Sequence, residues 1–153
     1  SLEVLAAEGI AFTILEPGQA ARWRKIGDKE WSTATIDPTQ AYRCTRPSGR
    51  SIAIFFYDGP ISRAVAFENL LARGENLAHR LLGAFSDART HLQIVNIATD
   101  GESYGHHHVH GDMALASALR QIENDGHVKL TNYGAFLEKH PPTHQVQTFE
   151  NSS

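Results

Sequence analysis

Ser51-Ile52-Ala53-Ile54-Phe55-Phe56-Tyr57, closed by Asp58-Gly59-Pro60, decides the fold class. Its apolar residues run on without polar alternation. A strand with one wet face would alternate, so this one is read as buried on both faces, the condition of strands in parallel sheets. Upstream, Ile10-Ala11-Phe12-Thr13-Ile14-Leu15 has the same character and is closed by Pro17-Gly18; downstream, His91 to Ala98 reads as a third strand with Thr99-Asp100-Gly101-Glu102 as its outlet. Between the second and third runs, Ala64, Phe67, Leu70, Leu71, Leu77, Leu81 and Phe85 recur at spacings of three and four, which predicts one long helix from Ser62, its N-cap, to Ala88. Strand, helix, strand with apolar strands gives an α/β class with a parallel sheet and crossover helices.

The flanks fill in around that centre. Leu2, Val4 and Leu5 predict a short helix that ends at Gly9, and Gln19 to Arg24 predicts another. Residues 25–50 carry Gly27-Asp28, Asp37-Pro38 and Pro47-Ser48-Gly49 and read as a loop-rich excursion with room for short antiparallel pairing. Beyond the third run, Asp112 predicts the cap of a helix through Met113, Leu115, Ala116, Leu119 and Ile122 to Gly126. A short strand at 128–130, a brief helix at 133–137 and a strand at 145–149 follow, while Glu150-Asn151-Ser152-Ser153 supplies neither. Residues 1–153 thus read as one domain without linker or repeat.

Composition removes several functions. The chain is 41% apolar and 20% charged, and its formal charge of -3 comes with scattered basic residues, so it lacks the electropositive stripe of a nucleic-acid partner. No apolar run reaches the roughly 18 residues that span a bilayer, and the first residues lack the pattern of a signal peptide, so no membrane role is expected. The single cysteine, Cys44, cannot form an internal disulfide, which fits a cytoplasmic setting. Without a glycine loop followed by Lys, a nucleoside triphosphate site is not expected, and no cofactor is called for. Cys44 lacks a neighbouring base, His79 and His91 read as structural, and His140-Pro141-Pro142-Thr143-His144 reads as a rigid turn.

Chemistry gathers at the strand outlets, where ligands bind in parallel α/β folds. Asp58 and Asp100 each precede a glycine at such an outlet, and Glu16 follows the first strand. For Asp58 a self-bonded turn competes with a place on the site rim. From Thr99 to Asp112 the chain packs carboxylates, Tyr104, His106, His107, His108, His110 and three glycines into one loop. Imidazoles and carboxylates suit a metal ion, with His106, His108 and His110 as candidate ligands, but adjacent histidines point opposite ways in an extended segment. A sugar site is the second reading, with Tyr104 covering a ring face. A solvated polar loop is the third.

Taken together, Ala98-Thr99-Asp100-Gly101-Glu102-Ser103-Tyr104-Gly105-His106-His107, Phe55 to Arg63, Leu2 to Leu15, and Leu130-Thr131-Asn132-Tyr133-Gly134 through His144 resemble glycoside hydrolase family 57. The likeness is to its branch of bacterial proteins with a further domain of unknown function after the barrel. It implies a parallel-sheet fragment of a distorted seven-stranded β/α barrel, active on α-glucans with retention of configuration. It makes Asp100 the general acid/base and leaves Glu102, Tyr104, His106, His107 and Asp58 for substrate. The family's nucleophilic glutamate and its first-strand histidine motif have no counterpart here, so the resemblance implies the later half of a catalytic barrel. Such a piece is inert alone, partners the remaining barrel half and an α-glucan or oligosaccharide, and can self-associate through exposed strand edges. Two other functions stay open: a metal-dependent hydrolase or deacetylase-like barrel, and a non-catalytic carbohydrate-binding barrel.

Overall fold

The run at 51–57 does form a strand, and its neighbours explain why it is apolar throughout. A computed structural model of the chain describes residues 1–149; the closing residues 150–153, read above as supplying neither helix nor strand, lie outside them. Five strands, β1 (Phe12–Leu15), β2 (Ala20–Lys25), β3 (Ala41–Thr45), β4 (Ser51–Phe56) and β5 (His144–Thr148), make one sheet in the order β1-β4-β3-β5-β2. As predicted, the first two apolar runs are parallel neighbours, with Ile14 opposite Phe55. The sheet is nevertheless mixed: β3 is parallel to β5, while β3 with β4 and β2 with β5 are antiparallel.

By contact the chain divides into two compact units, Ser1–Tyr57 together with the segment from Tyr133, and Asp58–Asn132. In the first unit, Ile52, Ile54 and Phe56 of β4 join Tyr42, Cys44, Val146 and Ile36 in a core that also takes Leu2 and Ala6 of helix α1 (Leu2–Ala7). On the opposite face of β4, Phe55 is fully buried and meets Phe12, Tyr133 and Phe136, with ring centroids 5.7, 4.9 and 6.2 Å away. Tyr133 and Phe136 belong to α5 (Tyr133–Lys139), in line with the helix expected at 133–137. Truncating either buried Phe of β4 to Ala would cost about 3–5 kcal/mol.

Four local expectations are corrected. Residues 19–24 are not helical: a single 3-10 turn at Pro17–Gln19 leads into β2, because pairing with β5 and a bridge from Trp23 to Ser32 override the helix propensity of the segment. The excursion at 25–50 holds the antiparallel pairing it had room for: β3, with Tyr42 and Cys44 buried in the core, is joined to β4 by a turn at 46–50, with Gly49 at φ 87°. The long helix is three pieces, α2 (Gly59–Phe67), a 3-10 turn at Asn69–Ala72 and α3 (Gly74–Leu82). Its apolar spacing carries across the break, which hides it from periodicity. Residues 91–98 and 128–130 carry no strand; their composition is strand-like, but a strand needs a ladder partner and none is formed.

The second unit packs α2 and α3 with α4 (Gly111–Asp125) around Ile61, Val65, Leu71, Leu77, Ala118 and Ile122. α4 ends at Gly126 as expected, but its N-cap position is His110, in the left-handed region at φ 63°, and Asp112 lies inside its first turn. α3 and α4 approach closely at Gly74, where an added Cβ would stand 2.7 Å from the Ala114 carbonyl oxygen and 2.7 Å from the Ser117 Cβ. Among the described residues, no helix is long and apolar enough to cross a membrane.

Two stability predictions follow from this packing. Gly74→Ala should lower stability by about 1–3 kcal/mol through overpacking, read as a lower denaturant midpoint. Gly59→Ala, where a Cβ meets nothing within 4 Å, should not do so. An unchanged midpoint for Gly74→Ala would mean that the two helices separate at no cost. The second concerns Tyr42, whose phenol is pushed up to about 12, chiefly by burial; bonds from Gln40 and the Asp37 N–H oppose the shift. An unfolded tyrosine ionises near about 10, so this contribution is complete below about pH 10 and is lost as pH rises toward about 12. Denaturant midpoints across that window should fall. Burial raises the Tyr133 phenol as well, so Tyr42→Phe should flatten the fall only in part.

Candidate active site

The two Asp-Gly aspartates both lie in the second unit and differ in what their carboxylates do. Asp58 is the N-cap of α2: its Oδ1 accepts the Ile61 N–H at 2.9 Å, and Pro60 in the first turn presets the helical φ. That is the turn reading of Asp58. Asp100 occupies the matching position before a 3-10 turn at Gly101–Tyr104, and there its carboxylate makes no capping bond; the turn is closed by the main chain, with the Ser103 N–H donating to the Asp100 carbonyl at 3.0 Å. The Asp100 side chain is exposed.

The chain reaches Asp100 through a segment held by α2. The Asp58 N–H donates to the Asn96 carbonyl at 2.8 Å, and the Ala98 N–H donates to Ser62 Oγ at 3.1 Å. Ser62, which the sequence pattern offered as a helix cap, is instead a buried first-turn residue whose hydroxyl is an acceptor for this segment. Ile94 and Asn96 are buried, while Leu92 and Ala98 to either side are exposed.

After Asp100 the loop folds on itself. Thr99 Oγ1 and the Tyr104 hydroxyl are 2.6 Å apart, and the Tyr104 ring packs against the core of the unit. The Glu102 carbonyl accepts the N–H groups of His106 and His107 at 2.9 and 3.0 Å, and the His107 Nε2 lies 3.4 Å from Glu102 Oε2. His106 meets His107 edge to face at 5.0 Å. Glu102, His106 and His107 are exposed. His108 is drawn away, its Nε2 3.0 Å from the Ala66 carbonyl oxygen, and His110 lines an open depression of about 370 Å³ with Ala72, Gly74, Met113, Ala114 and Ser117.

His106, His108 and His110 therefore serve different surroundings. Among the described residues, no three His, Cys, Asp or Glu side chains converge as a metal-binding group. Sequence reasoning missed Ser62 as a partner of this loop. A serine within the first turn of a helix carries no signal that its hydroxyl will serve a backbone amide 36 positions later.

The chain matches the model of glycosyl hydrolase family 57 over residues 1–148 and belongs to that family. Its class of activity is accordingly glycoside hydrolysis or glucan transfer, on a carbohydrate substrate. No curated protein matches the chain.

Asp58 has a structural job with a measurable size. Asp58→Ala should cost about 0.5–2 kcal/mol by removing the cap of α2, whereas Asp58→Asn should retain most of it, since asparagine caps equally well. Thermal melts of the two variants separate these outcomes. Equal melts would mean that the cap is not used.

Proposed function

We propose that residues 1–153 form part of the catalytic barrel of a retaining α-glucan hydrolase or glucanotransferase, with Asp100 as its general acid/base. The observation that carries this reading is the contrast between the two Asp-Gly aspartates in a chain of this family: Asp58 spends its carboxylate on a helix cap, while Asp100 leaves its own uncommitted to the local turn. A carboxyl group that must give up and retake a proton during each turnover cannot also serve as a fixed acceptor for backbone amides.

In the proposed reaction, protonated Asp100 donates to the glycosidic oxygen as the bond from that oxygen to the anomeric carbon breaks. A carboxylate nucleophile bonds to the anomeric carbon from the opposite face. Asp100, now ionised, then takes a proton from water in hydrolysis, or from a sugar hydroxyl in transfer, as that oxygen displaces the nucleophile. Two inversions give retention, and the two carboxyl groups must lie about 5–5.5 Å apart. The nucleophile would come from chain beyond these residues, in the remaining part of the barrel. Glu102, His106 and His107 are proposed to bind sugar hydroxyls.

The test is Asp100→Asn in the complete enzyme. Turnover of unactivated α-glucan should fall about 10²–10⁴-fold, while first-turnover release of a good leaving group, which needs no proton, should fall far less. Asp58→Asn should do much less harm. Normal turnover by Asp100→Asn, with activity and bound metal lost together on changing His108 or His110, would replace this reading by the metal-dependent one. Binding of α-glucan without turnover by the unaltered enzyme would favour a carbohydrate-binding role.

A further inference from the structure

Asp100 projects from a stretch with no sheet to hold it, so its placement depends on contacts to either side. On the near side, the first turn of α2 grips the chain twice: the Asp58 N–H takes the Asn96 carbonyl, and Ser62 Oγ takes the Ala98 N–H, two residues before Asp100, at 3.1 Å. Ser62 is only 6% exposed, so the packing around it holds its hydroxyl in one place, and the bond it accepts fixes the otherwise exposed Ala98 there. On the far side, the 2.6 Å contact between Thr99 Oγ1 and the Tyr104 hydroxyl closes the loop across Asp100. Tyr104 is in turn pinned by α4, because a Cβ on Gly111 would come within 3.1 Å of the Ser103 carbonyl oxygen and the Tyr104 Cα.

From this bracket we infer that Ser62 and the Thr99–Tyr104 pair are positioning residues for Asp100, acting through the backbone at 98–99 and not by touching substrate. The inference rests on the acid/base reading of Asp100 given above. It also gives Tyr104 a different role from a sugar platform: its ring is engaged with the core and its hydroxyl with Thr99. A proton donor shifted by about 1 Å loses on the order of 10²-fold in rate, so hydroxyls that fix the backbone beside it leave a kinetic signature.

The signature is selective. In the complete enzyme, Ser62→Ala, Thr99→Val and Tyr104→Phe should each lower kcat on unactivated α-glucan by about 10-fold or more, with smaller changes in KM. First-turnover fluoride release from an α-glycosyl fluoride should fall much less, since fluoride departs with little protonation. Thr99→Val and Tyr104→Phe should be non-additive, the double variant losing no more than either single one. Thr99→Ser, which keeps the hydroxyl, should restore turnover.

Equal losses on both substrates, or no loss on either, would overturn the positioning role. Additive losses for Thr99 and Tyr104 would overturn their pairing. Thermal melts accompany each variant, and Tyr104→Phe, which keeps the ring and removes one oxygen, supplies the decisive reading if Ser62→Ala does not fold. Asp100→Asn in the same series keeps the two levels apart: normal α-glucan turnover there defeats the acid/base reading, whereas a loss there without losses at Ser62, Thr99 and Tyr104 defeats only this inference.

Discussion

The main chain of β4 is bonded on both edges, to β1 and β3, while its side chains are buried on both faces. Ile52, Ile54 and Phe56 enter one core, and Phe55 meets the aromatic group of Phe12, Tyr133 and Phe136 on the other side. A strand enclosed in this way has no freedom to slip by one residue, since a slip would exchange the two faces wholesale. Two residues beyond Phe56 the chain is at Asp58, the N-cap of α2.

That helix start does more than continue the chain. Its aspartate caps the first turn, its backbone amide at Asp58 takes the carbonyl of Asn96, and its buried Ser62 takes the amide of Ala98. One turn of helix thus supplies polar partners to a segment that has no ladder of its own. The stretch ends at Asp100, and the side chain there is spared the capping bond that its counterpart at 58 must make. Two identical dipeptides serve different ends because the amides behind them differ in what else satisfies them.

The histidine-rich loop divides along the same lines. Glu102 gathers His106 and His107 around its carbonyl and carboxylate, while His108 turns to Ala66 and His110 takes a left-handed conformation ahead of α4. Four histidines close in sequence are thereby dispersed, and the feature that first suggested a metal does not assemble a ligand set among the described residues. Asp100, Glu102, His106 and His107 are all exposed.

The sequence by itself determined the α/β class, the parallel adjacency of the runs at 10–15 and 52–57, the ends of the helices at Gly9 and Gly126, and the family. These follow from short-range physics: uninterrupted apolar runs, glycine's left-handed conformations, and a family motif written in consecutive residues. Tertiary structure alone decided that 20–25 is a strand paired with β5, that 41–45 is a core strand, that the helix expected at 62–88 breaks at 68–73, and that 91–98 has no ladder. It also decided which aspartate caps a helix and that Ser62 serves Ala98. Each of these depends on a partner far along the chain, and neither a residue's propensity nor its spacing carries information about the partner that will satisfy its hydrogen bonds.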